Sequence, residues 1–176
     1  MNHELTTSRL TIKVVTPAMI NSAFDTMTKE EMMAEFYLDE KGYEHYQLLH
    51  EKGMETFRIS QVMFILILKE TNEAIGDAGY HTWNPFHARA EIFYSMRDDE
   101  HKQKGYMKEA LRAIIDYGFA EMKLHRIQAL ISDYNTPSKK LLLHYQFQRE
   151  GTIREDYIID GVSENSDCYS LLSTDV

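Results

Sequence analysis

The fold is decided by residues 91–122, which read EIFYSMRDDEHKQKGYMKEALRAIIDYGFAEM. Residues 88–96, which run into this stretch, alternate apolar and polar side chains with the period of a β-strand. After a polar, basic connection at residues 97–104, apolar side chains recur every three or four positions, which is the spacing of one helical face. These apolar positions are Met107, Ala110, Leu111, Ile114, Gly118, Phe119 and Met122. The stretch therefore predicts a strand, a short connection and a helix that begins at Gly105.

The connection carries two cations and a glycine where the helix begins. Lys102 and Lys104 flank Gln103, and Gly105 follows them. The first turn of a helix has free N–H groups and the positive end of the helix dipole, which favour an anion such as phosphate. A glycine lets the backbone approach that anion closely. The same residues also fit an ordinary helix-entry loop with two solvated lysines, because one glycine is a weak phosphate signal.

Several motifs, taken in order, resemble the acyl-CoA-binding core of the GNAT superfamily of N-acetyltransferases. The strand carries AEIFY at residues 90–94, and the helix carries GYMKEAL at residues 105–111. NTPS at residues 135–138 and DCYSLL at residues 167–172 follow, and TSRLTI at residues 7–12 precedes them. Within the superfamily, this set is most similar to the branch that acetylates the N-termini of ribosomal proteins. The resemblance covers nearly the whole chain.

Both the residues and the resemblance predict one α+β domain over residues 1–176. The resemblance implies a GNAT-type mixed, mostly antiparallel sheet of about six to seven strands flanked by helices. Besides the strand and helix above, hydrophobic patterns predict strands at residues 9–15, 62–68, 74–83, 125–133, 148–159 and 166–172, and helical segments at residues 17–53 and 136–143. Thr16-Pro17 and Thr136-Pro137 each read as a cap followed by a first helical proline.

The resemblance also implies a co-substrate, acetyl-CoA, and the residues that bind it. The pyrophosphate is expected on the backbone of Lys102, Gln103, Lys104, Gly105, Tyr106 and Met107. The pantetheine arm is expected along Tyr94, Ser95 and Met96, beside Asn135 and Ser138. Three positions of this loop and helix start depart from the family pattern: Gln103 stands where glycine is usual, Lys102 near where arginine or glutamine is usual, and Met107 where glycine or alanine is usual, although methionine also occurs in this branch. We expect binding to survive these departures because backbone groups make most of the contacts.

Three residues are candidates for catalysis. Glu91 is the candidate base, acting directly or through a water, because it lies on the cofactor strand and aligns with an acidic family position. It also fits a surface carboxylate paired with Arg89. The resemblance implies that Ser138 is the proton donor for the departing CoA thiolate, although a serine at this position equally suits helix capping. Leu142 replaces the tyrosine that many relatives use, and Tyr145 is the reserve donor.

Composition limits the partners and the location. The net charge of −9, from 28 acidic and 19 basic side chains, repels nucleic acid and attracts a cationic acceptor, although it also suits any soluble cytoplasmic protein. The longest apolar run, residues 62–68, is too short to span a membrane, and residues 1–10 lack the apolar core of a signal peptide. The single cysteine, Cys168, predicts a reducing cytoplasm, and the histidine spacing predicts no metal site.

The resemblance implies direct acetyl transfer to a primary amine in a ternary complex. No covalent enzyme intermediate is expected, because the residues offer no convincing pair of nucleophile and base. An α-amine costs only about 1 kcal/mol to deprotonate at pH 7, whereas a lysine costs roughly 4 to 5 kcal/mol. A weaker catalytic base is therefore sufficient when the acceptor is a protein N-terminus. A small amine such as a polyamine or aminoglycoside is the alternative acceptor, and a non-catalytic CoA-binding sensor is the third hypothesis. Because relatives in the ribosomal branch are often dimers, the resemblance allows a homodimer.

Overall fold

The computed structural model describes residues 3–53 and 61–176. In chain order its elements are β1 Glu4–Thr6, β2 Leu10–Val15, α1 Pro17–Thr26, α2 Lys29–Glu35, α3 Glu40–Lys52, β3 Val62–Leu68, β4 Glu73–Asn84, β5 Arg89–Met96, α4 Tyr106–Ala120, β6 Arg126–Ser132, α5 Thr136–His144, β7 Gln148–Ile159 and β8 Val162–Leu172. The strands described form one sheet in the order β1-β2-β3-β4-β5-β6-β8-β7. The α+β prediction is therefore confirmed, including the strand, connection and helix from which it started.

The helical segment between the second and third strands is three helices, each started by a side-chain cap. Thr16 accepts a hydrogen bond from the Met19 amide at 3.3 Å and caps α1, as predicted. Thr28 forms a reciprocal capping box with Glu31 at the start of α2. Asp39 accepts from the Gly42 amide at 2.8 Å and caps α3. The polar residues between the apolar stripes thus divide the segment into short helices that can follow the curved sheet.

The sheet separates two hydrophobic layers, and β3 belongs to both. Phe64 and Leu66 pack on the face covered by α4, whereas Ile65 and Ile67 pack on the face covered by α1, α2 and α3. A strand buried on both faces needs apolar residues at every position, which explains the unbroken run in its sequence. Among the methionine and tyrosine side chains of this early helical segment, Met32 and Tyr46 are buried in the second layer and belong to the core, whereas Met27 is exposed.

A divergence between two strands in the middle of the sheet creates the main opening of the fold. β3, β4 and β5, whose strands were predicted, form an antiparallel meander. β5 then pairs with β6 in parallel, but only from Arg89–Arg126 to Glu91–Gln128. Both strands continue beyond Glu91 and Gln128 without pairing with each other. The helices that follow these strands, α4 and α5, therefore begin on either side of a wedge.

The structure corrects two details of the prediction. The described residues contain eight strands, slightly more than the six or seven expected, because Glu4–Thr6 adds an edge strand antiparallel to β2. Three residues are too few to display an alternating pattern. The cap of α5 is Asn135, whose side chain accepts from the Ser138 amide at 3.2 Å, and Thr136 is the first helical residue. No helix in the described ranges is long and apolar enough to cross a membrane.

Candidate active site

The wedge between β5 and β6 opens into a cleft of about 550 Å³, bordered by the starts of α4 and α5. We call it the basic cleft, because several of its side chains are basic. It is lined by Tyr94, Ser95, Met96, His101, Lys102, Gln103, Gly105, Tyr106, Met107, Lys108, Pro137, Ser138, Lys140, Leu141 and His144. This concentration of lysine and histidine contrasts with a net charge of −9 for the whole chain. The cleft is therefore suited to an anionic ligand.

The turn that ends in Gly105 gives the cleft its anion-binding geometry. Gly105 is the N-cap of α4 with φ of +81°, a conformation that glycine adopts without strain, and Gln103 also has positive φ. No described side chain caps this helix, so its first N–H groups are available to a ligand. Arg9 braces the turn from the connection between β1 and β2: its guanidinium donates to the Lys104 carbonyl at 3.0 Å and lies 4.4 Å from the centre of the Tyr106 ring.

A second cavity of about 360 Å³ lies next to the basic cleft. It is lined by His81, Glu91, Ile92, Phe93, Tyr94, Ala129, Leu130, Ile131, Ser132, Asn135, Ser138, Asp156, Tyr157 and Ser166. We call it the acidic pocket, because its described lining contains the carboxylates of Glu91 and Asp156 and no lysine or arginine. The two cavities thus have opposite electrostatic character.

Glu91 lies inside the acidic pocket with only 19% of its side chain exposed. Its contacts are with the two flanking strands: Oε1 is 3.6 Å from His81 Nε2, and Oε2 is 3.5 Å from Gln128 Nε2. It forms no ion pair with Arg89. Burial raises the pKa of Glu91, the Gln128 hydrogen bond opposes this, and the nearby charge of Asp156 adds to it. Burial lowers the pKa of His81 and favours its neutral form. Glu91 is thus a carboxylate whose basicity is increased by its surroundings.

A β-bulge aims two residues of β7 into the acidic pocket. The register of β7 against β8 shifts between Ile153 and Tyr157, and Glu155 has φ of +51°. Bulges redirect side chains, and here the consecutive residues Asp156 and Tyr157 both line the pocket. Asp156 accepts a hydrogen bond from the buried Ser166 hydroxyl at 2.6 Å, which fixes its position.

Ser138 lies where the two cavities meet. Because Asn135 caps α5, the capping role considered for Ser138 from the sequence is filled by another side chain. Asn135 itself lines the acidic pocket and not the basic cleft. Tyr94 reaches the same junction from β5.

The remaining predicted residues divide by location. All the expected cofactor residues line the basic cleft except Lys104 and Asn135. Tyr145, the reserve donor, lines neither cavity, and its hydroxyl donates to the Lys108 carbonyl on α4. Sequence reasoning missed Lys108, Lys140 and His144 in the basic cleft and Asp156 and Tyr157 in the acidic pocket. The spacing of Lys140 and His144, four residues apart on a predicted helix, was the available signal for a shared face.

The chemistry of the basic cleft fits the phosphates of acetyl-CoA. An uncapped helix start, a glycine in a left-handed conformation and a basic lining are together what a diphosphate needs. The edge of β5 beyond Glu91, which β6 leaves unpaired, can receive an extended arm through its backbone. Within residues 3–53 and 61–176, no group of histidine, cysteine and acidic side chains is arranged to hold a metal ion.

Comparisons with known proteins agree with this geometry. Residues 9–148 match the family model described as an acetyltransferase (GNAT) domain. An uncharacterized N-acetyltransferase of Bacillus licheniformis, p20, is 44% identical over 92 residues, which are 52% of this chain and 51% of that protein. The chain thus spans about half the length of the curated relative it matches.

Two solved structures have the same fold over nearly all of both chains. The ribosomal-protein-S5-alanine acetyltransferase from Vibrio fischeri has a TM-score of 0.72 and 22% identity, covering 99% of this chain and 98% of that one. The spermidine N-acetyltransferase from Vibrio cholerae in complex with CoA and spermine has a TM-score of 0.71 and 19% identity, covering 96% and 98%. With the family model matching most of the sequence, the chain belongs to the GNAT acetyltransferase family.

Proposed function

We propose that this protein transfers the acetyl group of acetyl-CoA to a primary amine, directly and in a ternary complex. The observation that carries the proposal is the meeting of two cavities of opposite charge. The basic cleft suits an anionic acyl donor, and the acidic pocket suits a cationic acceptor. The half-buried Glu91 lies on the acceptor side. Amine and thioester would therefore meet at the junction of the two cavities, beside Ser138.

The candidate residues that line the two cavities have the following roles in this proposal. The backbone of the Gly105 turn holds the pyrophosphate, and the edge of β5 from Tyr94 to Met96 holds the pantetheine arm. Glu91 accepts the proton of the incoming ammonium, directly or through a water, and its raised pKa suits that task. The nitrogen–carbon bond then forms and the carbon–sulfur bond breaks. The Ser138 hydroxyl donates a hydrogen bond to the departing sulfur.

The absence of a covalent intermediate is part of the proposal. Burial raises the pKa of the Cys168 thiol, and the neighbouring Glu150 carboxylate adds to the effect, so this thiol is a poor nucleophile at neutral pH. Direct transfer predicts intersecting lines in initial-rate kinetics when both substrates are varied. A ping-pong pattern of parallel lines would contradict it.

The acceptor we favour is the N-terminal α-amine of a protein, as in the ribosomal branch. Such an amine is converted to its reactive, neutral form more easily than a lysine, since it costs only about 1 kcal/mol to deprotonate at pH 7, against roughly 4 to 5 kcal/mol for a lysine. The shared fold with the ribosomal-protein-S5-alanine acetyltransferase supports this choice. We also propose a cytoplasmic location, on the ground of the single cysteine.

A small polycationic amine is the second candidate acceptor, and the acidic pocket is the specific reason. Two carboxylates without a lysine or arginine in the described lining favour an acceptor with more than one positive charge. A polyamine carries such charges, and the spermidine N-acetyltransferase from Vibrio cholerae shares the fold.

The test is release of free thiol from acetyl-CoA with a panel of amines. Peptides beginning with alanine or serine, the same peptides with a blocked N-terminus, spermidine, and an aminoglycoside are compared at equal concentration. We expect turnover with the free peptides and none with the blocked ones. Faster turnover with spermidine would support the second candidate. Thermal stabilisation by CoA without turnover on any amine would overturn the proposal in favour of a CoA-binding sensor.

A further inference from the structure

Two residues mark the point where the carbon–sulfur bond would break. Among the described residues, only Tyr94 and Ser138 line both the basic cleft and the acidic pocket. Tyr94 comes from β5 and Ser138 from the first turn of α5, so they approach the junction from opposite sides of the wedge. Any thioester reaching from the cleft toward an amine in the pocket passes between these elements.

The Tyr94 hydroxyl is buried at this junction without a well-formed hydrogen bond to any described residue. Tyr80, on the neighbouring strand β4, shows the usual arrangement: its buried hydroxyl donates to the Ile114 carbonyl at 2.9 Å. A buried hydroxyl without a partner lowers stability, so it calls for an explanation, and among such groups in the described residues Tyr94 is the one that lines the two cavities. Ser138 lines the same junction, which makes it the polar side chain available to this hydroxyl. Burial raises the pKa of Tyr94, and the side chain of Ser138 partly opposes that effect.

Ser138 has the hydrogen-bonding capacity that such a neighbour needs. A serine hydroxyl carries one hydrogen and two lone pairs, so it can accept one bond and donate another. Asn135 caps the helix, so the Ser138 hydroxyl is not used for that purpose. Catalytic hydrogen bonds are often long or poorly aligned before substrate binds, which suits a Tyr94–Ser138 pair that tightens when the cleft fills.

We propose that the Tyr94 hydroxyl donates to Ser138 Oγ and thereby turns the hydrogen of Ser138 toward the departing sulfur. Tyr94 is thus a positioning residue that acts through Ser138, and the inference rests on the proposed acetyl transfer. The nitrogen–carbon bond forms, the carbon–sulfur bond breaks, and its electron pair stays on sulfur. The incoming ammonium gives one proton to Glu91, which passes it to water before the attack, and the nitrogen loses its second proton by the same route as the amide forms. Both hydroxyls keep their protons and stabilise the thiolate through a chain of two hydrogen bonds, each of which polarises the other.

The first test measures the thiol pKa of CoA bound to the protein, from the ultraviolet absorbance of the thiolate as the pH is raised. A hydrogen bond aimed at sulfur stabilises the thiolate and lowers that pKa. We expect Tyr94→Phe to raise the bound thiol pKa by about half to one unit without changing CoA affinity. This measurement needs no acceptor, so it is independent of the amine and of turnover. An unchanged thiol pKa in Tyr94→Phe would overturn the inference.

The second test is a double-mutant cycle on turnover. Tyr94→Phe and Ser138→Ala should each lower kcat by about five- to tenfold, and the double variant should be no slower than Ser138→Ala alone. Effects that multiply would mean that Tyr94 does not act through Ser138. A wild type without turnover on any amine would contradict the proposed function, while the thiol titration would still decide the role of Tyr94.

Tyr117→Phe is the matched control. Tyr117, on α4, also has a buried hydroxyl without a described partner, but it lines neither cavity. Loss of its oxygen should leave both kcat and the bound thiol pKa unchanged. The Tyr94→Phe variant removes only an unsatisfied buried oxygen, so its melting temperature should be equal to or above that of the wild type. A shift of the thiol pKa in Tyr117→Phe equal to that in Tyr94→Phe would count against the inference.

Discussion

In the proposed function, Glu91 combines basicity with access to an acceptor amine at a single strand position. It lies on β5 at the last residue pair before β5 and β6 diverge. The sheet therefore surrounds it on one side, where burial raises its pKa, while the acidic pocket opens on the other. A carboxylate fully exposed to water would be a weaker base, and one fully enclosed by the sheet would not reach an acceptor.

We expect Glu91→Gln to lower kcat by about 100-fold or more, with little change in CoA affinity. The wild-type rate should fall as the pH drops through the raised pKa of Glu91, because the base must be ionised, and this limb should be missing from the variant. The measurement is a pH–rate profile with acetyl-CoA and an amine acceptor. Glu73→Gln, an exposed carboxylate at the start of β4, is the control and should keep the wild-type profile. An acid limb that persists in Glu91→Gln would exclude Glu91 as the base.

The same change should not lower stability. A raised folded-state pKa means that the protonated form of Glu91 stabilises the fold at low pH. That contribution is lost as the pH rises through the folded-state pKa, so the ionised carboxylate lowers the stability of the fold at neutral pH. The melting temperature of Glu91→Gln at neutral pH should equal or exceed that of the wild type, as is common where a site trades stability for activity.

At the scale of elements, the start of α4 is held in place by contacts from a distant part of the chain. Glu109, in the first turns of α4, accepts hydrogen bonds from the Thr7 hydroxyl and from the amide and side chain of Arg9. Arg9 in turn donates to the Lys104 carbonyl. The turn that faces the basic cleft is thus anchored to the connection between β1 and β2, and its N–H groups are oriented before a ligand arrives. Such preorganisation reduces the cost of binding.

We expect Gly105→Ala to weaken CoA binding about tenfold, because a side chain disfavours φ of +81° and the N–H groups of the turn would shift. The measurement is calorimetric titration of CoA. Gly161→Ala is the matched control: Gly161 also has φ of +81°, it lies in the turn between β7 and β8, and its added Cβ would meet nothing within 4 Å. Both variants should lose about 1 kcal/mol of stability, but only Gly105→Ala should lose affinity. Equal loss of affinity in both would show that strain alone is responsible.

At the scale of the whole molecule, the fold separates charges that the composition mixes. The chain carries a net charge of −9, yet lysine and histidine line the basic cleft while carboxylates line the acidic pocket. In the proposed function, the net negative charge of the protein attracts a cationic acceptor, and the positive charge of the basic cleft favours binding of an anionic donor. Two substrates of opposite charge can thus bind side by side without competing for one cavity.

We expect Lys140→Gln to weaken CoA binding about two- to fivefold at low salt, since Lys140 lines the basic cleft near the solvent. The effect should shrink as salt screens the charge. Lys139→Gln changes the net charge of the protein by the same amount at the neighbouring position, which does not line the cleft, and should bind CoA as the wild type does. If both variants lose the same affinity, the overall charge and not the cleft would be the cause.

The sequence by itself determined most elements and the family. The strand and helix around Gly105, the buried strand Val62–Leu68, and the last hairpin are set by hydrophobic periods and turn residues that act locally, so they can be read from the chain. Short elements and exact helix caps are harder to predict from the sequence. β1 has three residues, and the α5 cap differs by one position from its predicted place because Asn135 and Thr136 are both competent caps.

Only the tertiary structure decided how distant residues share a site. Asp156 and Tyr157 enter the acidic pocket through a bulge in β7, and Arg9 reaches the Gly105 turn from the connection between β1 and β2. Tyr94 and Ser138, which are far apart in the chain, meet because β5 and β6 diverge and the helix that follows β6 begins beside the gap. Periodicity specifies which face a side chain occupies, whereas the distance between two faces depends on strand order, register and the point at which a ladder of hydrogen bonds ends.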